Sequence, residues 1–291
     1  MHLENIFYYG DIHDGAIEVP FTLDKGTIEA GYFFGDDKPK NIIVISTQSG
    51  CPSRCRFCEL GDMPFYRNLS ADEIREQVDT MLSIAGEYRI PQKPHKVNLA
   101  KSGEPLWNPH IVEGMRSISE LGFSFKFSTL QPKGTMKRLR DVADYSASYE
   151  YNVQLQVSLI STDEGYRQHM TGIRTATFDE IREATGYWHH RNPERKVNLS
   201  LILSEDTPAD PRSIVDIFPP DMYRVRFRPC VETINSKKNS LKKISDEKLE
   251  HIVEDFASCG YDKGYWATPT PMEVQNGLSS NVTLRRYLGY G

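Results

Sequence analysis

From Asn41 onward the chain alternates short apolar-rich runs with helical patterns: Asn41–Thr47 then Ala71–Ala85, Lys96–Ser102 then His110–Leu121, Phe125–Leu130 then Thr135–Ala143, Asn152–Ile160 then Phe178–His189, Lys196–Leu203 then Pro211–Ile217, and Arg224–Cys230 then Asp246–Cys259. Strands alternating with helices imply right-handed crossovers and a parallel sheet. This pattern predicts an α/β fold, a partial (β/α)6 barrel whose site lies at the carboxyl ends of the strands. Residues 1–40 read as a small β extension broken by Gly10, Gly15, Gly26 and Gly31, residues 41–260 as the barrel core, and residues 261–291 as a segment covering the barrel mouth.

Directly after the first barrel strand comes Gly50-Cys-Pro-Ser-Arg-Cys-Arg-Phe-Cys58. Its C-x3-C-x2-C spacing brings Cys51, Cys55 and Cys58 onto one short loop, where three thiolates can hold three irons of a [4Fe–4S] cluster. Such clusters normally take four Cys ligands, so a loop offering three leaves one iron open for chemistry. A structural zinc site is the competing reading, but zinc loops pair C-x2-4-C with a second Cys/His pair, and Cys230 and Cys259 stand far from the loop and from each other.

Composition narrows the setting. The 291 residues fit a barrel of one main domain. No run of ~18 or more apolar residues and no charged-then-apolar leader is visible, which predicts a cytoplasmic protein. Five cysteines, an odd number with three committed to iron, argue for a reducing compartment. A net charge of −5 carries no global basic footprint, so nucleic acid is not the expected partner and any anion binding must be local.

Side chains alternate faces along a strand. One parity collects Val97, Leu99, Val153, Leu155, Val157, Val197, Leu199, Leu201, Val225 and Phe227, suited to packing under helices. The other collects Lys96, Asn98, Lys126, Ser128, Gln154, Gln156, Ser158, Lys196, Asn198, Ser200, Arg224, Arg226, Arg228 and Cys230. That face is expected to look into the barrel. So many enclosed cations require anions or water, and arginine suits bidentate carboxylate or phosphate recognition. Arg226, Arg228, Gln156 and Asn198 are therefore the candidate substrate-binding residues, although the cations near strand starts can snorkel out of the barrel bottom.

Ile45-Ser-Thr-Gln-Ser-Gly-Cys51 through Cys58, Arg67-Asn-Leu-Ser-Ala-Asp-Glu-Ile74, Gly103-Glu-Pro-Leu-Trp-Asn108, Phe127-Ser-Thr129, Val157-Ser-Leu159 and the strand Arg224–Pro229 occur in this order. Together they resemble the RlmN/Cfr-type enzymes of the radical S-adenosylmethionine (SAM) superfamily, which methylate adenine in RNA. The resemblance implies a [4Fe–4S] cluster on the three cysteines, SAM on the open iron, and cleavage of SAM to a 5′-deoxyadenosyl radical by an electron from a reducing partner such as flavodoxin or ferredoxin. It further implies that Gly103 and Glu104 meet the SAM amino group and that Ser128 and Ser158 hold the rest of SAM.

The departures are as telling. Those methyltransferases use one cysteine that carries the methyl group and another that resolves the RNA adduct; by spacing these fall at Asn276 and Val44. Neither has a nucleophilic sulfur. Only about 40 residues precede the first barrel strand, so an N-terminal accessory domain is also not expected. The sequence therefore points to hydrogen-atom abstraction from a small anionic molecule. The alternatives are methylation of RNA or a nucleobase by an altered route, and a non-catalytic iron–sulfur module. Cys230 closes the last strand on the lumen parity and is the candidate hydrogen donor to a substrate radical. Cys259, at a helix end, reads as packing.

Overall fold

The computed structural model describes residues 1–262 and 281–289, apart from 4, 10–14, 35–40, 87–88 and 90–92. Six parallel strands form the frame: β5 (Asn41–Ile45), β8 (His95–Leu99), β9 (Ser124–Thr129), β10 (Val153–Ile160), β11 (Val197–Leu203) and β12 (Tyr223–Pro229), hydrogen-bonded in that order. Helices α1 (Ala71–Ala85), α2 (Ile111–Ser119), α3 (Met136–Ser148) and α5 (Phe178–Arg191) connect successive strands, and α7 (Asp246–Ser258) follows the last. Capping boxes start α1 at Ser70/Glu73 and α5 at Thr177/Glu180, satisfying amides that a helix start leaves unpaired.

The parity reading holds where the sheet meets its helices. Val97, Leu99, Phe125, Phe127, Leu155, Val157, Leu199, Leu201, Val225 and Phe227 are buried in one core with Ile74, Val78, Met115, Leu139, Ile181, Trp188 and Phe256 from the helices. Each such side chain removed from water contributes ~1.5–3 kcal/mol, and this apolar layer fixes which strand face is left for the lumen. Loss of that register would turn the lumen residues outward.

The expected N-terminal β extension is part of the barrel's own sheet, and two details of the reading change. Strands β3 (Ala16–Thr22) and β4 (Thr27–Phe33) form an antiparallel hairpin, β4 pairs antiparallel with β5, and β1 (His2–Leu3) and β2 (Phe7–Tyr9) pair with β3, so ten strands make one sheet. Gly31 does not break a strand. It sits inside β4 opposite Glu18, and a Cβ there would lie 2.8 Å from the Glu18 carboxylate. The helix expected at 211–217 is instead a 3-10 turn, Pro211–Ser213.

Three short helices were not legible: α4 (Glu164–Thr171), inserted between β10 and α5, α6 (Ile234–Lys238) and α8 (Val282–Tyr287). All three bear on the cysteine loop. Among the described residues no helix is long and apolar enough to cross a membrane.

Candidate active site

Strand β5 ends at a knot of buried polar bonds that sets the course of the cysteine loop. The Thr47 and Gln48 amides donate to Ser102 O, Asn108 Nδ2 donates to Thr47 O at 2.7 Å and Leu69 O at 2.9 Å, and Gln77 bonds both the Ser46 amide and its carbonyl. Beyond it the loop is gripped from outside. The Arg54 and Arg56 amides donate to Thr171 O and Met170 O at the end of α4. Asn235 of α6 donates to Cys58 O at 2.7 Å, and Arg285 of α8 reaches Glu59 O at 3.0 Å and the Asp62 carboxylate at 2.7 Å.

Cys51, Cys55 and Cys58 line a cavity of about 230 Å³ closed by the carboxyl ends of β8 to β12. Gly103, Glu104, Ser128, Ser158, Gln156, Arg228 and Cys230 are on the same wall. Gly103 has φ +106°, and a Cβ there would lie 2.6 Å from the Gln48 side chain, so only glycine fits this turn beside the cysteines. Arg226 and Asn198 are not on the cavity wall. Each precedes a cavity residue, Arg228 or Ser200, by two positions on its strand, which puts it one layer deeper; Arg226 donates to Gln156 Oε1 at 3.3 Å. Two strand-start cations are half-buried away from the cavity: Lys196 Nζ donates to Pro220 O at 2.6 Å, and Arg224 lies 3.6 Å from Asp262. Cys259 caps α7 against the core, away from the cavity.

Burial dominates the electrostatics. It pushes the Cys51 thiol up to about 11 and Cys58 to about 12, and raises Cys55 well above its ordinary value. Backbone amides of Ser53 and Gly103 act in the opposite sense on Cys51, as do the Leu60 amide and the Asn281 side chain on Cys58. Thiolate donors that are this costly to ionise alone become favourable beside iron, whose binding displaces their protons. Burial likewise lifts Glu104 to about 7, against hydrogen bonds from Thr129 Oγ1, the Leu130 amide at 2.7 Å and the Leu106 amide at 3.1 Å. Its carboxyl group thus braces the β9 end while facing the cavity.

The residues present fit a cluster and SAM. Three sulfurs come from one loop, and the side chains do not form a mononuclear site: among the described residues no three His, Cys, Asp or Glu are gathered for a single metal ion. Ser128 Oγ, on the cavity wall, is buried without a hydrogen-bond partner, as are both amide atoms of Asn198 in the layer beneath. Such orphaned polar atoms await a ligand or water.

Sequence reasoning missed one part of this wall. Lys101, two residues past the end of β8, lines the cavity with its Nζ 2.7 Å from both Glu18 oxygens and 2.9 Å from Glu29, whose other oxygen accepts the Leu284 amide at 2.7 Å. Charged residues inside otherwise apolar strands were the available signal.

The model of the radical SAM superfamily matches residues 45–217. The chain belongs to this superfamily. Its enzymes use a [4Fe–4S] cluster and SAM, so these are the cofactors to which the cavity is matched. Among curated relatives, the probable dual-specificity RNA methyltransferase RlmN of Deinococcus deserti is 34% identical over 58% of this chain and 48% of its own length. The Christiangramia forsetii protein of the same name is 30% identical over 69% and 58%. The chain therefore spans about half the length of the curated relatives it matches. A solved radical SAM methyltransferase from Sphaerobacter thermophilus shares the fold, with a TM-score of 0.75, 20% identity and coverage of 92% of this chain and 76% of that one. Streptococcus suis SuiB bound to S-adenosylmethionine superposes with a TM-score of 0.53 at 18% identity, covering 78% and 49%. The RlmN-like character of the core is thus shown by the relatives as well as by the motifs.

Proposed function

We propose that this radical SAM enzyme removes a hydrogen atom from an anionic substrate held in the barrel. The observation that carries the reading is convergence: Lys126, Gln156, Arg228 and Cys230 open onto the same cavity as the three cysteines and Glu104. When bound, the cluster and SAM supply the 5′-deoxyadenosyl radical that abstracts the hydrogen. Cys51, Cys55 and Cys58 would each hold one iron. Gly103 lets the backbone approach closely, Glu104 would accept from the SAM amino group, and Ser128 and Ser158 would orient the remainder. Arg228 and Lys126 would hold the substrate anion, with Gln156 fixed through Arg226 behind it. Cys230, whose thiol burial pushes up to about 11 and so keeps protonated, would return a hydrogen atom to the substrate radical, and one electron from the reducing partner with a proton from water would restore its thiyl radical to the thiol.

Methylation of RNA stands as the second reading, because the matched relatives are named RNA methyltransferases and composition alone does not set a nucleic-acid partner aside. Against the relatives' two-cysteine route, Val44 occupies β5 opposite Asn98, on the lumen parity, and has no thiol. Asn276, the other replaced position, lies outside the described residues.

The two readings separate in one assay. Reconstituted enzyme with SAM and dithionite is offered free phosphorylated and carboxylated metabolites, or RNA. The expected result is 5′-deoxyadenosine formation stimulated by a small anion. Arg228→Met is expected to raise its KM by about 10- to 150-fold, which corresponds to losing ~1.5–3 kcal/mol from a hydrogen bond to a charged group. Cys230→Ala would still cleave SAM but release no finished product. Transfer of the SAM methyl label to adenine in RNA, with small anions inert, would establish the second reading in its place.

Glu104 gives a further prediction. With its carboxyl raised to about 7, the group is mostly neutral at pH 5.5 and ionises as pH rises through neutrality; only the ionised form attracts the SAM ammonium. SAM affinity should therefore increase between about pH 5.5 and 7.5 and then level. Glu104→Gln should weaken binding by ~1.5–3 kcal/mol at pH 7.5 and flatten the profile. Equilibrium dialysis with labelled SAM measures both, and an unchanged slope in the variant would remove Glu104 from the SAM site.

A further inference from the structure

The cysteine loop has two sides. Its inner side lines the cavity, while its outer side carries α6, a helix the reaction proposed above does not use. Thr233 Oγ1 donates to Phe57 O at 3.2 Å, Asn235 Nδ2 to Cys58 O at 2.7 Å and Asn239 Nδ2 to Arg56 O at 3.3 Å, so α6 is bonded to three consecutive carbonyls ending at a ligand cysteine. Ile234 is 41% exposed on this helix. The Lys237 and Lys238 side chains are 68% and 67% exposed. Arg54 is exposed and donates to Met63 O at 3.2 Å, one residue past Asp62, and half-buried Arg56 is tied to Asn239 at 3.1 Å. The acidic groups facing this patch are Glu232, 3.2 Å from Lys237, Asp62, and buried Glu59, which accepts the Ile234 amide at 2.9 Å; Arg285 pairs with both Asp62 and Glu59. Five cations, Arg285 included, against three carboxylates leave a local positive charge on a chain whose net charge is −5, so the patch is not a by-product of composition. None of Ile234, Lys237 and Lys238 lines the cavity.

We propose that the outer face of α6, with Arg54 and Arg56, is the docking surface for an acidic one-electron donor protein of the flavodoxin or ferredoxin kind. The proposal rests on the cluster reading of Cys51, Cys55 and Cys58. One electron leaves the donor's reduced flavin or iron–sulfur centre and enters the oxidised cluster; no bond forms or breaks at the surface. The patch suits this partner. Transient electron-transfer interfaces are small, and opposite charge steers encounter while contributing less to lifetime, as turnover of a donor requires. An exposed isoleucine among the cations supplies the short apolar contact. The path from α6 to Cys58 is a single hydrogen bond and the peptide it reaches.

The test uses cluster-loaded enzyme whose iron and sulfide content is measured first, so that failure of the cluster reading is seen separately. Reduced flavodoxin is mixed with it in a stopped flow and bleaching of the cluster absorbance is followed. In Lys237→Glu/Lys238→Glu the second-order rate at low ionic strength should fall by about tenfold or more, and its steep decline with salt should flatten. Reduction by dithionite should be unchanged, and Lys242→Glu/Lys243→Glu, which reverses the same charge outside the patch, should stay within about twofold of wild type. Equal flavodoxin rates in wild type and Lys237→Glu/Lys238→Glu, an equal loss with dithionite, or an equal loss in Lys242→Glu/Lys243→Glu would each overturn the assignment. So would a fluorescent RNA oligonucleotide whose binding is lost in Lys237→Glu/Lys238→Glu while flavodoxin reduction is intact; that result would give the face to RNA.

Discussion

Replacement of any one of Cys51, Cys55 or Cys58 by alanine is expected to abolish both the cluster and SAM cleavage. Each thiolate would hold a different iron, and the other two cysteines belong to other elements: Cys230 follows β12, and Cys259 caps α7 away from the cavity. Iron and sulfide content after reconstitution should fall together, along with the visible absorption of the cluster. The polypeptide should survive the change. At neutral pH the metal-free thiols are protonated, because burial raises all three, so alanine removes a small neutral group rather than one member of an ion pair. The loop would still be held by α4, α6 and α8 through backbone carbonyls and amides. Circular dichroism and thermal unfolding of the metal-free variants should therefore match metal-free wild type to within about 1 kcal/mol, the scale of a modest core change. A full, SAM-reactive cluster in any single variant would sink the ligand assignment; a collapsed fold would show that the thiols serve packing instead.

Much of this site was legible because its signals are local. The spacing of three cysteines is read within eight residues, and the two-residue period of the strands sorts Val97 and Phe127 from Ser128 and Gln156 without any knowledge of partners. Depth was not legible. Arg226 and Arg228 share a parity, but only the stagger of neighbouring strands decides that Arg228 reaches the cavity while Arg226 stops one layer below against Gln156. Partners remote in sequence were also hidden. Glu18 and Glu29 look like interruptions of apolar strands until β3, β4 and β8 are brought into one sheet, 83 and 72 residues of separation away from Lys101. Helices α4 and α6 have too few turns to show a period, so the clamps on the outer side of the cysteine loop emerged only from the hydrogen bonds they make.

That buried triad carries the largest expected effect on stability. Glu18 and Glu29 side chains are fully buried and Lys101 nearly so. Burial alone would depress the Lys101 ammonium, yet the two carboxylates outweigh it and hold the group above the ordinary lysine value. The lysine's contribution is therefore fully present below the unfolded lysine value and is lost as pH climbs through the folded one, so near neutrality the Lys101 ammonium adds no slope to the stability curve. Lys101→Met keeps the length of the side chain but leaves both carboxylates without that ammonium. Breaking a buried pair by removing one partner costs ~3–5 kcal/mol, and denaturant unfolding should show a loss of that size at pH 7. The variant should also acquire a slope that wild type lacks. Its stranded carboxylates can escape the penalty only by taking up protons, which raises their folded pKa above the unfolded value; stability should then recover as pH falls from 7 toward 5, because the folded state binds the extra protons. Glu18→Gln in the Lys101→Met background removes one stranded charge and should restore part of the loss, a non-additivity that marks direct coupling. The damage should also reach the cavity, since the turn after β8 runs from Lys101 directly into Gly103 and Glu104, and Glu29 anchors the Leu284 amide of α8. A loss below about 1 kcal/mol in Lys101→Met, the size of an exposed pair, with no acid recovery, would mean that water reaches the triad and that it is no structural link between the N-terminal hairpin and the active-site wall.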